Sequence, residues 1–359
     1  MTGALTPTVL LAAISAGSVA AAVSLRSAAW PRRSPAAAIL LWQALGLAWG
    51  LAAVGALVEP AILAYHSGGD GGVLAAARRI IAGGRLPPGR DALSAVLRMV
   101  SFAAGAALLT LLCSVLIMAL VAVLCARRRQ RALLALLAHG DPRIPGTLVV
   151  DHPTAAAYCV PGLRSKIVVS AGALSLLDRA ELAAVLAHER AHLRERHDLV
   201  LIPFTALLRA FPRSRVASTS YRAVSLLVEM LADDRARRQR PARELATALL
   251  RFGVAGAGPA PSGALAIADE TPAPHGAPAP HGAAGPHGGA AGPAAAEDVV
   301  AIAARSASRC DVAARVSRLL EPSPRLPRPA VAAVFASAVV LVITPVAMVL
   351  LSLLPGPGP

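Results

Sequence analysis

The stretch Leu186-Ala187-His188-Glu189-Arg190-Ala191-His192-Leu193 carries the most informative chemistry in this chain. Residues four apart on a helix share a face, so the imidazoles of His188 and His192 can reach one metal ion. Zinc takes histidine nitrogens at about 2.0–2.1 Å, and a catalytic zinc keeps one of its four positions open. Glu189 stands beside the first histidine, where its carboxylate can accept a proton from a metal-bound water whose pKa has been brought toward about 7. That combination suits attack on a peptide carbonyl. A five-residue pattern also arises by chance, so its surroundings decide. Here the flanks are small or aliphatic, as a buried metal-bearing helix requires.

A third protein ligand is needed. One candidate is Glu229 in Glu229-Met230-Leu231-Ala232-Asp233. Asp233 shares its helix face four residues on and would orient a ligating histidine from behind. The rival is Asp198, at the position used by enzymes that extend the motif through a glycine turn. Glu195 stands where that glycine would be, which disfavours the turn. His197 and His152 lie close by in sequence, but nothing in their spacing demands a role, and surface or packing positions are expected for both.

These residues need elements to hold them. Leu182, Val185, Leu186 and Leu193 repeat at helical spacing from Asp178 onward, and Asp178-Arg179-Ala180-Glu181 has the form of a capping box. Further helices are expected over Leu199–Phe211, ended by Pro212, and over about Val216–Arg238, before Pro241. Short strands are expected at Thr147–Val150, around Tyr158 and at Ile167–Ser170, where β-branched residues gather between Gly, Pro and Ser. The expected domain is a small sheet with helices.

The rest of the chain is not that of a soluble protein. Hydrophobic residues make up 56% and charged ones 15%, with a mean hydropathy of +0.61, more apolar surface than one soluble core can hide. Uncharged apolar runs at 5–25, 36–58, 99–125 and 329–354 each match the roughly 20 residues a helix needs to cross about 30 Å of hydrocarbon. The first lacks a basic leader, since no arginine precedes Arg26, so an uncleaved span is expected. Arginines 26, 32 and 33, then 127, 128, 129 and 131, then 318, 325 and 328 fall on one side if the N-terminus is outside, which places the intervening domain in the cytoplasm. The expected order is three spans over 1–125, a cytoplasmic domain over 126–328, and a fourth span with a short tail over 329–359.

The +15 charge is almost wholly arginine, with Lys166 the lone lysine. With only 3% aromatic residues there is no interleaved basic and aromatic groove, so nucleic acid is not an expected partner. Cys113, Cys125, Cys159 and Cys310 form no paired motif, which excludes a disulfide framework and a cysteine zinc site. Residues 255–296 are rich in Gly, Ala and Pro and repeat Pro-His-Gly at His275, His281 and His287. Too few apolar residues are present there to fold, so a disordered loop is expected, and deleting 272–293 should leave zinc content unchanged.

His188-Glu-Arg-Ala-His192 followed by Glu229-x-x-Ala-Asp233 resembles the gluzincin peptidases of the BlaR/MecR antirepressor type, with the HtpX-like proteases as a related group. Ala157-Tyr-Cys-Val-Pro-Gly before Ile167-Val-Val-Ser is similar to the strands that precede the zinc helix in that type, and Arg315-Val-Ser-Arg-Leu-Leu320 to its region before the last span. The resemblance implies an α-helical membrane protein with an α+β gluzincin-like zinc peptidase domain and four transmembrane helices. His188, His192 and Glu229 would hold Zn²⁺, Glu189 would be the catalytic base and Asp233 an outer support. The partners implied are a protein substrate, of which a transcriptional repressor is one kind, and the lipid bilayer. The sensor domain that BlaR and MecR proteins carry beyond the last span has no counterpart before Pro359, so the resemblance does not extend to antibiotic sensing. A reading of another class is a non-enzymatic membrane sensor that uses the zinc domain to bind protein; Glu189 argues against it, because a structural site needs no base.

Overall fold

The computed structural model describes residues 6–66, 90–140, 146–162, 165–255, 310–321 and 324–353. The Pro-His-Gly loop lies outside them. Four of the described helices are long and apolar enough to cross a membrane: α1 (Thr6–Ser27), α2 (Pro35–His66), α3 (Arg90–Leu137) and α10 (Arg328–Leu353). They cover the described residues of the four apolar runs read from the sequence. The third is far longer than its apolar run. No proline interrupts α3, and arginine is a good helix former, so the helix continues through Arg127–Arg131 to Leu137.

Two compact units divide the chain. The first comprises Met1–Val121, Val200–Val228 and Pro324–Pro359, and the second Ala122–Leu199 and Glu229–Ser323. In the first, helices pack closely where side chains are small. A Cβ on Gly55 would lie 2.9 Å from Val349 Cγ2 and 3.2 Å from Leu11 Cδ1, and one on Gly105 would lie 2.7 Å from Val58 Cγ2. Residues 200–228 belong to this unit although they follow the histidine motif in sequence. Their apolar side chains explain why: Phe211 sets its ring edge-on to Trp49, centroids 5.6 Å apart, and Leu207 approaches Gly46.

The second unit holds a four-stranded sheet in the order β1-β2-β4-β3. Its strands are β1 (Ala138–Gly140), β2 (Thr147–Val150), β3 (Ala157–Val160) and β4 (Lys166–Ser170). β2 and β4 run parallel, with Leu148 opposite Val168; β1 and β3 run antiparallel to their neighbours. Three strands fall where β-branched residues predicted them. β1, with the sequence Ala-His-Gly, has no such signal. Alternation along the strands separates two faces. Ile167, Val169 and Ala157 enter the main core with Ala184, Val185 and Leu186, whereas Val168 and Val160 pack with Leu134.

A short helix α4 (Ala171–Leu176) leads to α5 (Arg179–Glu195), which bears the motif. The capping box is formed as its residues predict. Asp178 Oδ1 accepts from the backbone N–H groups of Ala180 and Glu181 at 2.9 and 2.8 Å, and Glu181 Oε2 accepts from Asp178 N–H at 3.0 Å. Such caps contribute about 1 kcal/mol, and this one fixes where the helix starts and therefore which face His188 and His192 occupy. Next come α6 (His197–Ala210), α7 (Arg215–Ala236) and α8 (Ala242–Val254), within two residues of the expected bounds for α6 and α7. Residues 310–320 are helical and are called α9; their Val316 and Leu319 belong to the same core cluster as Leu245, Leu249 and Phe252 of α8.

Candidate metal centre

Eight residues of α5 are buried, His188 and His192 among them. Their Nε2 atoms lie 3.0 Å apart. α7 brings in Glu229, with Oε2 3.4 Å from His188 Nε2 and Oε1 3.6 Å from His192 Nε2. One donor atom from each of the three lies within 4.8 Å of the others. Ligands about 2.0–2.1 Å from a tetrahedral zinc are about 3.3–3.4 Å from one another, so these separations fit a zinc-sized cation. The nitrogen chemistry fits too. His188 Nδ1 lies 2.9 Å from Asp233 Oδ1, which leaves Nε2 as the nitrogen that faces the cluster.

Asp198 stands elsewhere: its carboxylate pairs with Arg127 of α3. Contrary to the expectation from Glu195, a turn does follow α5. Arg196 adopts the left-handed conformation at φ 49°, ψ 46° and caps the helix by donating its N–H to His192 O. A non-glycine residue at such an angle costs roughly 1–2 kcal/mol, and no residue type announces it. The turn delivers His197 rather than Asp198 to the site. His197 is 1% exposed, with Nδ1 3.1 Å from His192 Nδ1 and Nε2 3.1 Å from Glu195 Oε2. His152 is exposed and accepts a hydrogen bond from Thr154 N–H.

Nothing in the type or spacing of Arg315 of α9 marks it as a site residue. It is 2% exposed and spans two of the three carboxylates of α7, those of Asp233 and Glu229. Nε and Nη2 donate to Asp233 Oδ2 and Oδ1 at 2.9 and 2.8 Å, and Nη1 lies 3.1 Å from Glu229 Oε2. Arg318, one turn on, makes a two-pronged pair with Asp234 at 2.9 and 2.7 Å. The forked guanidinium matches a carboxylate edge in a way lysine cannot. Breaking a buried pair by removing one partner costs on the order of 3–5 kcal/mol. Arg315→Met is therefore expected to lower the thermal midpoint of the detergent-solubilised chain by many degrees, with Arg318→Met, at a more exposed pair, causing a smaller shift.

Burial and charge oppose each other throughout the site. Burial pushes the Glu189 carboxyl up, against the pull of His192 and His188. For Glu229 burial also raises the pKa, but His192 and Arg315 outweigh it and hold the group well below the usual carboxylate range. Asp233 follows the same pattern: burial is overcome by Arg315, and the pKa falls to about 2. Burial lowers His188, but Asp233 and Glu229 more than reverse this and bring it to about 9. His197 is carried down to about 4, by burial first and by His192 second. On β3 the buried Cys159 thiol is pushed up, mainly by burial and then by Glu189 beside it. The resulting site has an ionised carboxylate ready to face a cation and a second carboxyl, Glu189, with raised proton affinity.

Residues 125–232 match the model of Peptidase family M48. The matched stretch takes in all four strands, the motif helix and Glu229, and ends one residue before Asp233. No curated protein and no solved structure matches the chain. The match is to a family of metallopeptidases that includes HtpX-like and BlaR-like proteins, and it does not single out the BlaR/MecR type.

Proposed function

We propose that the chain is a multi-pass membrane zinc endopeptidase that cuts a protein at the cytoplasmic face of the membrane. The observation that carries this reading is the convergence of His188 Nε2, His192 Nε2 and a Glu229 carboxylate oxygen within 4.8 Å, with Glu189 one residue along the same helix. Zinc bound there would supply a Lewis acid and a water of lowered pKa. Asp233 and Arg315 hold His188 and Glu229 in place, so that neither ring nor carboxylate reorganises during turnover. Glu189 takes the proton of the attacking water and passes it to the leaving amine. A carboxylate at that position can serve both halves of that transfer.

The cytoplasmic placement rests on the arginine clusters beside the span ends. A reporter active only outside the cytoplasm should be active when fused after Pro359 and silent when fused near Gly282. The opposite pattern would put the site outside and remove every cytoplasmic substrate. A transcriptional repressor, as in BlaR-like and MecR-like systems, is the substrate class that the resemblance suggests.

A further inference from the structure

Among the described residues His197 is one of the least exposed side chains of the second unit, and its two ring nitrogens both have partners. Nδ1 meets His192 Nδ1 at 3.1 Å, and Nε2 meets Glu195 Oε2 at 3.1 Å. Glu195 Oε1 in turn pairs with Arg235 near the end of α7. The rings of His192 and His197 stand at 90° to each other, centroids 4.8 Å apart, an edge approach that aims nitrogen at nitrogen.

Proton bookkeeping along this line has a single consistent solution once His192 offers Nε2 to a metal. His192 Nδ1 then carries the hydrogen and donates it. His197 Nδ1 must be bare to accept, which puts the His197 proton on Nε2. That proton is donated to Glu195, an acceptor-only carboxylate, whose other oxygen is held by Arg235. Every link has one donor and one acceptor, and the tautomer of each ring is fixed by the next group outward.

We propose that His197 is a positioning residue for the metal centre, which with Glu195 and Arg235 fixes the ring orientation and tautomer of His192, as Asp233 and Arg315 do for His188. Each histidine of the motif is thus backed by a line that ends in an arginine: His188 by Asp233 and Arg315, and His192 by His197, Glu195 and Arg235. The difference is that the second line uses a neutral imidazole where the first uses a carboxylate. The left-handed Arg196 makes this possible, since it folds His197 back over the last turn of α5.

The inference rests on the metal-site reading, and its test separates the two. The full chain in detergent, carrying Glu189→Gln to prevent self-cleavage, is titrated with Zn²⁺ against a chromogenic chelator, and with Co²⁺ to record its visible absorption. His197→Leu keeps the buried volume but offers no acceptor, and should weaken zinc binding on the order of 10–100-fold and alter the Co²⁺ spectrum. His197→Asn places an amide oxygen near the position of ring Nδ1 and should restore both. Unchanged affinity and spectrum in His197→Leu, or an Asn variant as impaired as the Leu variant, would overturn the proposal. Should His197→Leu fail to fold, Glu195→Leu carries the test from a half-buried position: weaker zinc binding supports the proposal and unchanged binding overturns it. Failure of the His197-intact chain to bind zinc would remove the metal-site reading and this inference together.

Discussion

Glu189→Gln should bind about one zinc per chain, as should the unaltered chain, yet cleave protein at least about 100-fold more slowly. The amide has nearly the volume of the carboxylate, so burial and packing around α5 are kept. What it loses is the capacity to take a proton, and a positioned general base contributes typically 10²–10⁴-fold. Glu189 lies outside the converging trio of donors, so metal affinity should change little. The two readouts therefore part company: metal content by elemental analysis stays, and cleavage, including any self-cleavage, goes. Full cleavage by the glutamine variant would remove Glu189 from the chemistry.

Glu229→Ala should come out metal-poor and inactive, with Asp198→Ala milder in both respects. Among the described residues Glu229 is the one member of the converging trio from outside α5, and without it two histidines of a single helix would face a cation from one side. Loss of a direct ligand should weaken zinc binding by more than the roughly 10–100-fold typical of an outer partner. The Glu229→Ala variant also leaves the Arg315 Nη1 atom without its carboxylate, so thermal stability should be compared alongside metal content. Asp198 pairs with Arg127, and its removal disturbs a salt bridge rather than the metal. A variant set in which Asp198→Ala loses the zinc and Glu229→Ala keeps it would assign the third ligand the other way round.

Much of the scaffold is legible in the residues because it depends on short-range chemistry. Asp178 and Glu181 announce their own cap, β-branched runs announce β2 to β4, and long uncharged stretches announce the four membrane-length helices. β1 is silent because three residues, Ala-His-Gly, form a strand only by pairing with Val150 and Val149. The motif histidines are visible because their partners are four residues away. Arg315 is not, since its carboxylate partner Asp233 is 82 positions distant and the two meet only through the tertiary fold, in which Val316 and Leu319 of α9 join the main core. His197 was visible as a residue but not as a contact, because its approach to His192 depends on Arg196 accepting a conformation that usually favours glycine. The same blind spot misjudged the turn itself, where the absence of a glycine suggested that the helix would not fold back.

The central claim, that this metal centre cuts a protein at the membrane, is tested most directly by comparing the N-terminal peptides of cells that carry the unaltered chain with those of cells that carry Glu189→Gln at equal abundance. The account predicts at least one protein whose internal new N-terminus is present with the unaltered chain and absent with the variant, its intact form accumulating in the variant cells. Identical sets of N-termini in the two, under conditions where the unaltered chain is folded and zinc-loaded, would contradict it.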